Sequence, residues 1–345
     1  MATFGQWVEG ARPRTLPAAV APVIVGTAAA YYWLAHVLSF PDGSYFTAGP
    51  FEVATSGAAP FAVEATGDIS TVIALHDSHA TTSWSQLVVR ALLALVVALA
   101  LQVGVNYSND YSDGIRGTDE VRVGPVRLVG QGLAPARQVK YAAFACFGVA
   151  AVAGLVLVLI TQAWWLLLVG LAAIVAAWFY TGGPRPYGYA GLGELFVFVF
   201  FGLVAVAGST YVQTLTITAT SVAGGVACGA LSVAILLANN LRDIPTDRVH
   251  GKRTLAVRLG DHGTRIAYLC AVAAPFLVAG AIAIPNTPWA LIALLAIPFA
   301  VAPVRAVRGG AVGRDLIPVL AGTGRLLLVY SVLLGAGLVI AGATA

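Results

Sequence analysis

The chain has 345 residues, of which 59% are apolar and only 10% charged, whereas an ordinary soluble domain is about half apolar and about a quarter charged. This composition excludes a soluble globular protein and predicts a polytopic membrane protein. The net charge of +4 would suggest a nucleic-acid partner only if it were spread over a soluble surface, and here the basic residues are confined to a few loops. We therefore expect a lipid bilayer and no nucleic acid as partner.

Nine apolar runs come close to the roughly 20 residues that a transmembrane helix needs. They cover residues 15–35, 85–105, 141–160, 163–181, 192–212, 221–239, 265–284, 288–304 and 318–341. We therefore predict an all-α membrane protein with nine transmembrane helices, formed by one domain over residues 1–345. Cys146, Cys228 and Cys270 all fall inside these runs without metal-ligand spacing, which favours packing residues over a disulfide framework.

Basic residues are concentrated in alternate loops. Arg12 and Arg14 precede the first run, and further Lys and Arg residues lie within 116–140, 242–265 and 305–314. The loops between them contain almost none. Because cytoplasmic loops carry the excess of Lys and Arg, we expect the N-terminus and these loops on the cytoplasmic side of the plasma membrane and the C-terminus outside.

Two segments near the N-terminus need an interpretation. The apolar run after Arg14 could be mistaken for a signal peptide, but Glu9 and several prolines argue against one. Residues 36–84 form an insert that is rich in Gly, Ser, Thr and Ala and has no Lys or Arg. We predict an extracytoplasmic loop there, and its histidines, His36, His76 and His79, are better explained as incidental loop residues than as metal ligands.

A polar stretch at residues 106–127 follows the second run directly and reads NYSNDYSDGIRGTDEVRVGPVR. Asn106, Asn109, Asp110 and Asp113 have the spacing that places side chains on one face of a continuing helix. Acidic residues cost about 2.5–3.5 kcal/mol each near the centre of a membrane helix, so a cluster of them indicates a function. The alternative is a solvated loop that merely ends the helix.

A second cluster of the same kind closes the sixth run. It consists of Asn239, Asn240, Asp243 and Asp247 and is followed by the basic segment GKRTLAVRLG. Carboxylate oxygens suit Mg²⁺, and Arg and Lys neutralise phosphate oxygens. The pair of clusters therefore predicts a Mg²⁺-diphosphate site, for which the nearby cations are Arg116, Arg127, Arg242, Lys252 and Arg258.

The Gly/Pro-rich loop that begins at Tyr180 carries the sequence GYAGLGE, which could be interpreted as a phosphate-binding loop. No strand precedes it, so small residues for helix packing are the better explanation. Glu194 comes next, and a solvated helix N-terminus is a more economical interpretation of it than a catalytic role.

The residues resemble a known family. Asn109-Asp110-Tyr111-Ser112-Asp113 with Asp119 after it, and the run from Asn239 to Asp247, are similar to the two aspartate-rich motifs of the UbiA superfamily of intramembrane prenyltransferases. Four further segments resemble the branch of this family that acts on 1,4-dihydroxy-2-naphthoate. They are ARPRTLP at 11–17, GPVR at 124–127, YTGGP at 180–184 and GKRTLAVRLG at 251–260. The resemblance covers nearly the whole chain apart from the insert at 36–84.

This resemblance implies a nine-helix barrel with its active site under a cytoplasmic cap. It also implies Mg²⁺-dependent transfer of a polyprenyl group from polyprenyl diphosphate to 1,4-dihydroxy-2-naphthoate, with decarboxylation to demethylmenaquinone, diphosphate and CO₂. The metal ligands implied by the match are Asp110, Asp113, Asp119, Asp243 and Asp247.

Other roles implied by the match concern substrate binding. Asn109 and Asn239 would be neutral oxygen donors, and the diphosphate would meet Arg116, Arg127, Arg242 and Lys252. Tyr180 and Arg185 resemble a tyrosine/basic pair that contacts the diphosphate or the forming cation. Arg12 would hold the carboxylate of the aromatic acid, with lipid headgroups as an equal alternative partner.

Three alternatives remain at the level of the sequence. Relatives that act on 4-hydroxybenzoate carry an aspartate where this chain has Gly117, which favours the naphthoate branch without excluding another acceptor. The DYSDG segment also begins like a CDP-alcohol phosphotransferase signature, but the rest of that signature is missing. A cation-coupled transporter would place its acids near the membrane midplane on broken helices rather than at helix ends.

Overall fold

The computed structural model describes residues 2–38, 84–117 and 126–344. Ten helices lie in these ranges: α1 (Phe4–Gly10), α2 (Pro17–Leu38), α3 (Trp84–Gly114), α4 (Ala136–Thr161), α5 (Leu166–Phe179), α6 (Gly193–Thr214), α7 (Ala219–Val249), α8 (Leu255–Ala283), α9 (Pro288–Arg308) and α10 (Ile317–Ala343). The predicted insert, with His76 and His79, lies outside the described residues apart from its two ends. Asp119 lies outside them as well.

The predicted all-α membrane architecture is confirmed. Each of the nine predicted runs coincides with one of the helices α2 to α10, and within the described ranges eight helices are long and apolar enough to cross a membrane. The exception is α5, which has 14 residues. Its length of about 21 Å is shorter than the roughly 30 Å of a hydrocarbon core, so its neighbours must complete that part of the bundle.

Helices α3 and α7 are the longest, with 31 residues each. A helix of that length spans about 46 Å, which exceeds the hydrocarbon thickness. Both helices are apolar over most of their length and end in a polar segment, Asn106–Gly114 in α3 and Asn239–Val249 in α7. The last turns of both helices therefore project past the apolar layer at the same end of the bundle.

Close packing around α7 depends on small residues. At Gly202, in the π-helical segment Val199–Val204 of α6, an added Cβ would come within 2.5 Å of the Gly225 carbonyl oxygen and 2.6 Å of Gly229 Cα. Small residues let two helix backbones approach closely. In a membrane, this close van der Waals packing drives helix association, because the hydrophobic effect does not act between helices there. This seam sets α6 against α7 and so fixes one wall of the interior cavity.

The N-terminal segment docks on the polar end of α3. Helix α1 begins with a capping box between Thr3 and Gln6, and its Trp7 packs edge-on against Tyr107 with the ring centroids 5.6 Å apart. The Tyr107 hydroxyl donates to the Trp7 carbonyl oxygen over 2.9 Å. The chain then turns through Arg12, whose φ of 55° lies in the left-handed region that non-glycine residues seldom adopt.

Candidate active site

An interior cavity of about 970 Å³ is lined by residues of α2 to α7 and by the start of α10. Its volume lies at the upper end of the range of about 300–1,000 Å³ for small-molecule sites. The walls are apolar, and one end is polar because the ends of α3 and α7 meet there. The polar residues at that end include Asn106, Asn109, Asp113, Arg127, Asn239, Asn240, Arg242, Asp247 and Lys252.

Lys252 joins the two aspartate-rich motifs. Its Nζ lies 3.7 Å from Asp113 Oδ1 and 3.8 Å from Asp247 Oδ1. All three side chains are buried, and the backbone N–H of Lys252 donates to the Asp247 carbonyl oxygen over 2.9 Å, which turns the chain back toward the cavity. Two carboxylates this close would repel each other in a desolvated site, and the shared ammonium group compensates that repulsion.

A second cation approaches Asp113 from the loop after α3. Arg127 Nη2 lies 3.9 Å from Asp113 Oδ2, and the Arg127 side chain is 7% exposed. That loop is held by Asp110, whose carboxylate accepts hydrogen bonds from the backbone N–H groups of Leu128 at 2.7 Å and Val129 at 3.2 Å. Asp110 therefore positions Arg127, and it does not line the cavity.

Asp243 is likewise turned away from the cavity. Arg242 donates to it from Nε over 2.7 Å and from Nη2 over 2.9 Å, and the same Nη2 donates to Asn239 Oδ1 over 2.7 Å. Such a bidentate pair fixes the guanidinium group of Arg242, which does line the cavity. Of the four aspartates in the two motifs that the described residues contain, Asp113 and Asp247 are the two that face the cavity.

Tyr189 is a site residue that sequence reasoning missed. Its hydroxyl donates to Asp113 Oδ1, and its ring has Lys252 Nζ at 4.4 Å and Arg116 Cζ at 5.4 Å from the centroid. Burial raises the pKa of the Tyr189 phenol above its usual value, and the charge and hydrogen bond of Asp113 raise it further. The phenol therefore stays protonated and donating. The Gly/Pro-rich loop was noticed in the sequence, but no spacing rule connects Tyr189 to Asp113.

The loop between α5 and α6 also orients Tyr180, which lines the cavity. The backbone N–H of Gly188 donates to the Tyr180 carbonyl oxygen over 3.0 Å, and a Cβ at Gly188 would approach that oxygen to 2.6 Å. At Gly193 an added Cβ would lie 3.3 Å from the Tyr180 ring. The absence of side chains at these two glycines thus leaves space for Tyr180.

Several predicted cations act on loop backbone instead of the cavity. Arg116 donates to the carbonyl oxygens of Thr181 and Gly183, and Arg258 Nη2 donates to that of Ala190 over 2.7 Å. Arg185 is exposed and lies outside the cavity lining. Three of the predicted diphosphate ligands are therefore placed beside the site, whereas Arg12, Arg127, Arg242 and Lys252 line it.

The interpretation of Glu194 as a solvated helix N-terminus is wrong. Its side chain is buried, with 6% exposure, and its Oε1 accepts a hydrogen bond from Asn240 Nδ2 over 2.9 Å. The cover of this side chain is a tertiary feature that the sequence pattern does not show. Glu194 ties the start of α6 to the second motif on α7.

The donor set fits Mg²⁺ bound together with a substrate. Among the described residues no three His, Cys, Asp or Glu side chains converge closely enough to form a complete metal cage. Mg²⁺ is usually held by one or two carboxylates, waters and substrate phosphates rather than by such a cage. Asp113 and Asp247 would supply the carboxylates, and Asn109 and Asn239 line the same cavity.

Comparisons with known proteins agree with this geometry. Residues 69–311 match the model of the UbiA prenyltransferase family. The chain is 49% identical to 1,4-dihydroxy-2-naphthoate octaprenyltransferase of Mycobacterium tuberculosis, with 96% of each chain covered, and 44% identical to the enzyme of the same name in Mycobacterium leprae, with 99% of each covered. A UbiA homolog from Archaeoglobus fulgidus bound to GPP and Mg²⁺ has the same fold, with a TM-score of 0.55, 13% identity and coverage of 97% of this chain and 99% of that one.

The family match covers more than half of the chain, and the relatives match it nearly from end to end. The resemblance seen in the two aspartate-rich motifs is thereby confirmed, and so is the all-helical membrane fold of the UbiA type. The chain belongs to the UbiA prenyltransferase family.

Proposed function

We propose that the protein transfers a polyprenyl group from polyprenyl diphosphate to 1,4-dihydroxy-2-naphthoate in a Mg²⁺-dependent reaction. The ring carboxylate leaves as CO₂, and the other products are diphosphate and demethylmenaquinone, formed as its quinol. The names of the relatives support the choice of acceptor. The observation that carries the proposal is the group of Asp113, Lys252 and Asp247 at the mouth of a long apolar cavity.

The polar end suits a diphosphate. Mg²⁺ bound there would neutralise the diphosphate and make it a better leaving group. Asp113 and Asp247 would hold the ion, while Lys252 and Arg127 would contact the phosphate oxygens that the ion leaves free. Because these side chains are buried, their interactions with the leaving group are stronger than in water.

The apolar part of the cavity suits an isoprenoid tail. On α5 the lining extends from Leu166 to Ala177, which corresponds to about 16 Å along the helix axis. Small residues such as Gly154, Gly170 and Gly208 keep the passage open. A tail that lies here is shielded from water, as the reactive allylic carbon also requires.

The aromatic acid would bind between these two regions. Arg12 lines the polar end, and its guanidinium group can pair with the carboxylate. Tyr180 lines the cavity as well, and its ring would stabilise the cation that develops at the carbon from which diphosphate departs.

We further propose that the protein lies in the plasma membrane and that the polar end of its helix bundle faces the cytoplasm. Arg12, Arg127, Lys252 and the basic loop after α9 lie at the same end of the chain's helices, and cytoplasmic loops carry the excess of such residues. A cation-coupled transporter is disfavoured because Asp113 and Asp247 lie at helix ends rather than at the middle of the spans.

The test is prenylation by the purified protein with Mg²⁺, a polyprenyl diphosphate and either 1,4-dihydroxy-2-naphthoate or 4-hydroxybenzoate. We expect product and CO₂ with the naphthoate alone, and a loss of at least about 100-fold in kcat/KM for Asp113→Asn and Asp247→Asn. Asp261→Asn is the matched control, because that carboxylate is 58% exposed and pairs with Arg265 outside the cavity. Product with the benzoate alone would move the protein to another branch of the family, and no product with either acceptor would overturn the proposal.

A further inference from the structure

Gln102 is the deepest polar residue of α3 that lines the cavity. It shares a helix face with Asn106, Asn109 and Asp113, which follow it at intervals of four, seven and eleven residues. Asp113 therefore lies about 16 Å farther along the helix axis. Toward the start of α3, the residues that this helix contributes to the lining are all apolar, from Leu101 to Ala94.

The orientation of the Gln102 amide is determined by Thr15. The Thr15 hydroxyl donates its one hydrogen to the Arg12 carbonyl oxygen over 2.9 Å. Thr15 Oγ1 can therefore only accept from Gln102 Nε2 at 2.9 Å and Asn106 Nδ2 at 3.0 Å. The Gln102 nitrogen must point at Thr15, so its oxygen points away from Thr15.

That oxygen, Gln102 Oε1, is buried and has no hydrogen-bond partner among the described residues. The side chain as a whole is 6% exposed. A buried acceptor without a partner is costly, and most such groups in proteins are satisfied by protein, water or ligand. The site is thus incomplete until a hydrogen-bond donor arrives.

The proposed reaction, on which this inference rests, limits the possible donors. A diphosphate bound to Mg²⁺ and an ionised carboxylate offer only acceptors, and an isoprenoid tail offers no polar group. Among the groups of the two substrates, the remaining donors are the phenolic hydroxyl groups of the acceptor ring, and a bound water is the competing partner. We infer that Gln102 Oε1 accepts a hydrogen bond from one ring hydroxyl and so selects a hydroxylated aromatic acceptor.

The neighbourhood is consistent with this placement. Arg12, whose guanidinium group would pair with the acceptor carboxylate, is connected to Gln102 through its backbone carbonyl group and Thr15. These two hydrogen bonds bring the backbone of Arg12 close to Gln102, and both residues line the same cavity. A site built to bond a hydroxyl group rejects an analogue that lacks it more strongly than an apolar pocket does.

The test measures binding of 1,4-dihydroxy-2-naphthoate and of its two analogues that each lack one hydroxyl group, by titration calorimetry with the full-length protein in detergent. We expect the wild-type protein to bind one analogue about tenfold more weakly than the diol. In Gln102→Met the ratio of the dissociation constants of this analogue and the diol should fall to about one, while the KM for polyprenyl diphosphate stays unchanged. Leu101→Met changes a neighbouring lining residue without removing a polar group and should keep the wild-type ratio.

Equal binding of all three compounds to the wild-type protein would overturn the inference without any variant. A Gln102→Met protein that keeps the wild-type ratio, or that weakens all three compounds equally, would also overturn it and would indicate a bound water or a structural role. Failure of the proposed function is distinguishable, because the wild-type protein would then neither bind nor prenylate the diol.

Discussion

Asp113 at the end of α3 and Asp247 at the end of α7 share the ammonium group of Lys252, although 133 residues separate them in the chain. This contact joins the two aspartate-rich motifs at the polar end of the cavity. Mg²⁺ bound here would add positive charge beside two buried carboxylates that share one lysine, and Arg127 approaches one of them.

Replacing Lys252 with Met should therefore leave two buried carboxylates without their shared cation. We expect a loss of up to about 3–5 kcal/mol in stability, because removal of Lys252 leaves buried negative charge that Arg127, 3.9 Å from Asp113, compensates only in part. Added Mg²⁺ should recover part of this loss, so the rise in Tm on adding Mg²⁺ should be larger for the variant than for the wild-type protein. Equal rises would contradict the shared-cation interpretation. Arg308→Met is the control, since Arg308 is an exposed residue at the end of α9.

Tyr189→Phe removes the hydroxyl that donates to Asp113 and keeps the ring against which Lys252 and Arg116 pack. The loss of a hydrogen bond to a charged group is worth about 1.5–3 kcal/mol, so kcat/KM for the prenyl diphosphate should fall by about 10- to 150-fold. Tyr141→Phe is matched to it, because Tyr141 is exposed and contacts Arg137 away from the cavity. If both variants behave alike, the contact with Asp113 has no part in binding.

The pH dependence of Tyr189 follows from its raised pKa. Burial and Asp113 favour the neutral phenol in the folded protein, so the folded-state pKa lies above the unfolded value of about 10. Its contribution to stability is fully present below that value and is lost as the pH rises above it. Unfolding measured between pH 9 and 11 should therefore show a steeper loss of stability for the wild-type protein than for Tyr189→Phe. Parallel curves would refute this assignment.

The substitution Asp110→Asn tests whether Asp110 anchors the loop after α3 or binds the metal ion. The amide keeps one acceptor oxygen for two backbone N–H groups, so we expect a loss of about 1–3 kcal/mol in stability. Because the loop that carries Arg127 would shift, the KM for polyprenyl diphosphate should rise. The Mg²⁺ concentration for half-maximal activity should stay near the wild-type value. In Asp113→Asn the same quantity should rise. A large rise in the Asp110 variant would show that this carboxylate reaches the metal.

The contrast between Asp110 and Asp113 shows which features of the site can be predicted from the sequence. The two long apolar runs with polar ends predict that the motifs meet, because helices of that length must end at the membrane boundary. Both aspartates lie on one predicted helix face, and only the returning loop at Leu128 and Val129 separates their roles. Tyr189 could not be found for a similar reason, since its partner is 76 residues away and no periodicity relates them.

The length of the isoprenoid tail should depend on the far end of the cavity. Gly208 lines it about 22 Å along α6 from Gly193, and an added Cβ there meets no atom within 4 Å. Gly208→Phe should therefore fold and fill this part of the passage. We expect kcat/KM for a long polyprenyl diphosphate to fall at least about tenfold, and that for geranyl diphosphate to change little, because the short tail ends before the new side chain. Gly148→Phe is the control: Gly148 has equal space around it but lies on α4 outside the cavity lining. Equal losses with both donors would mean that the tail does not run along α6.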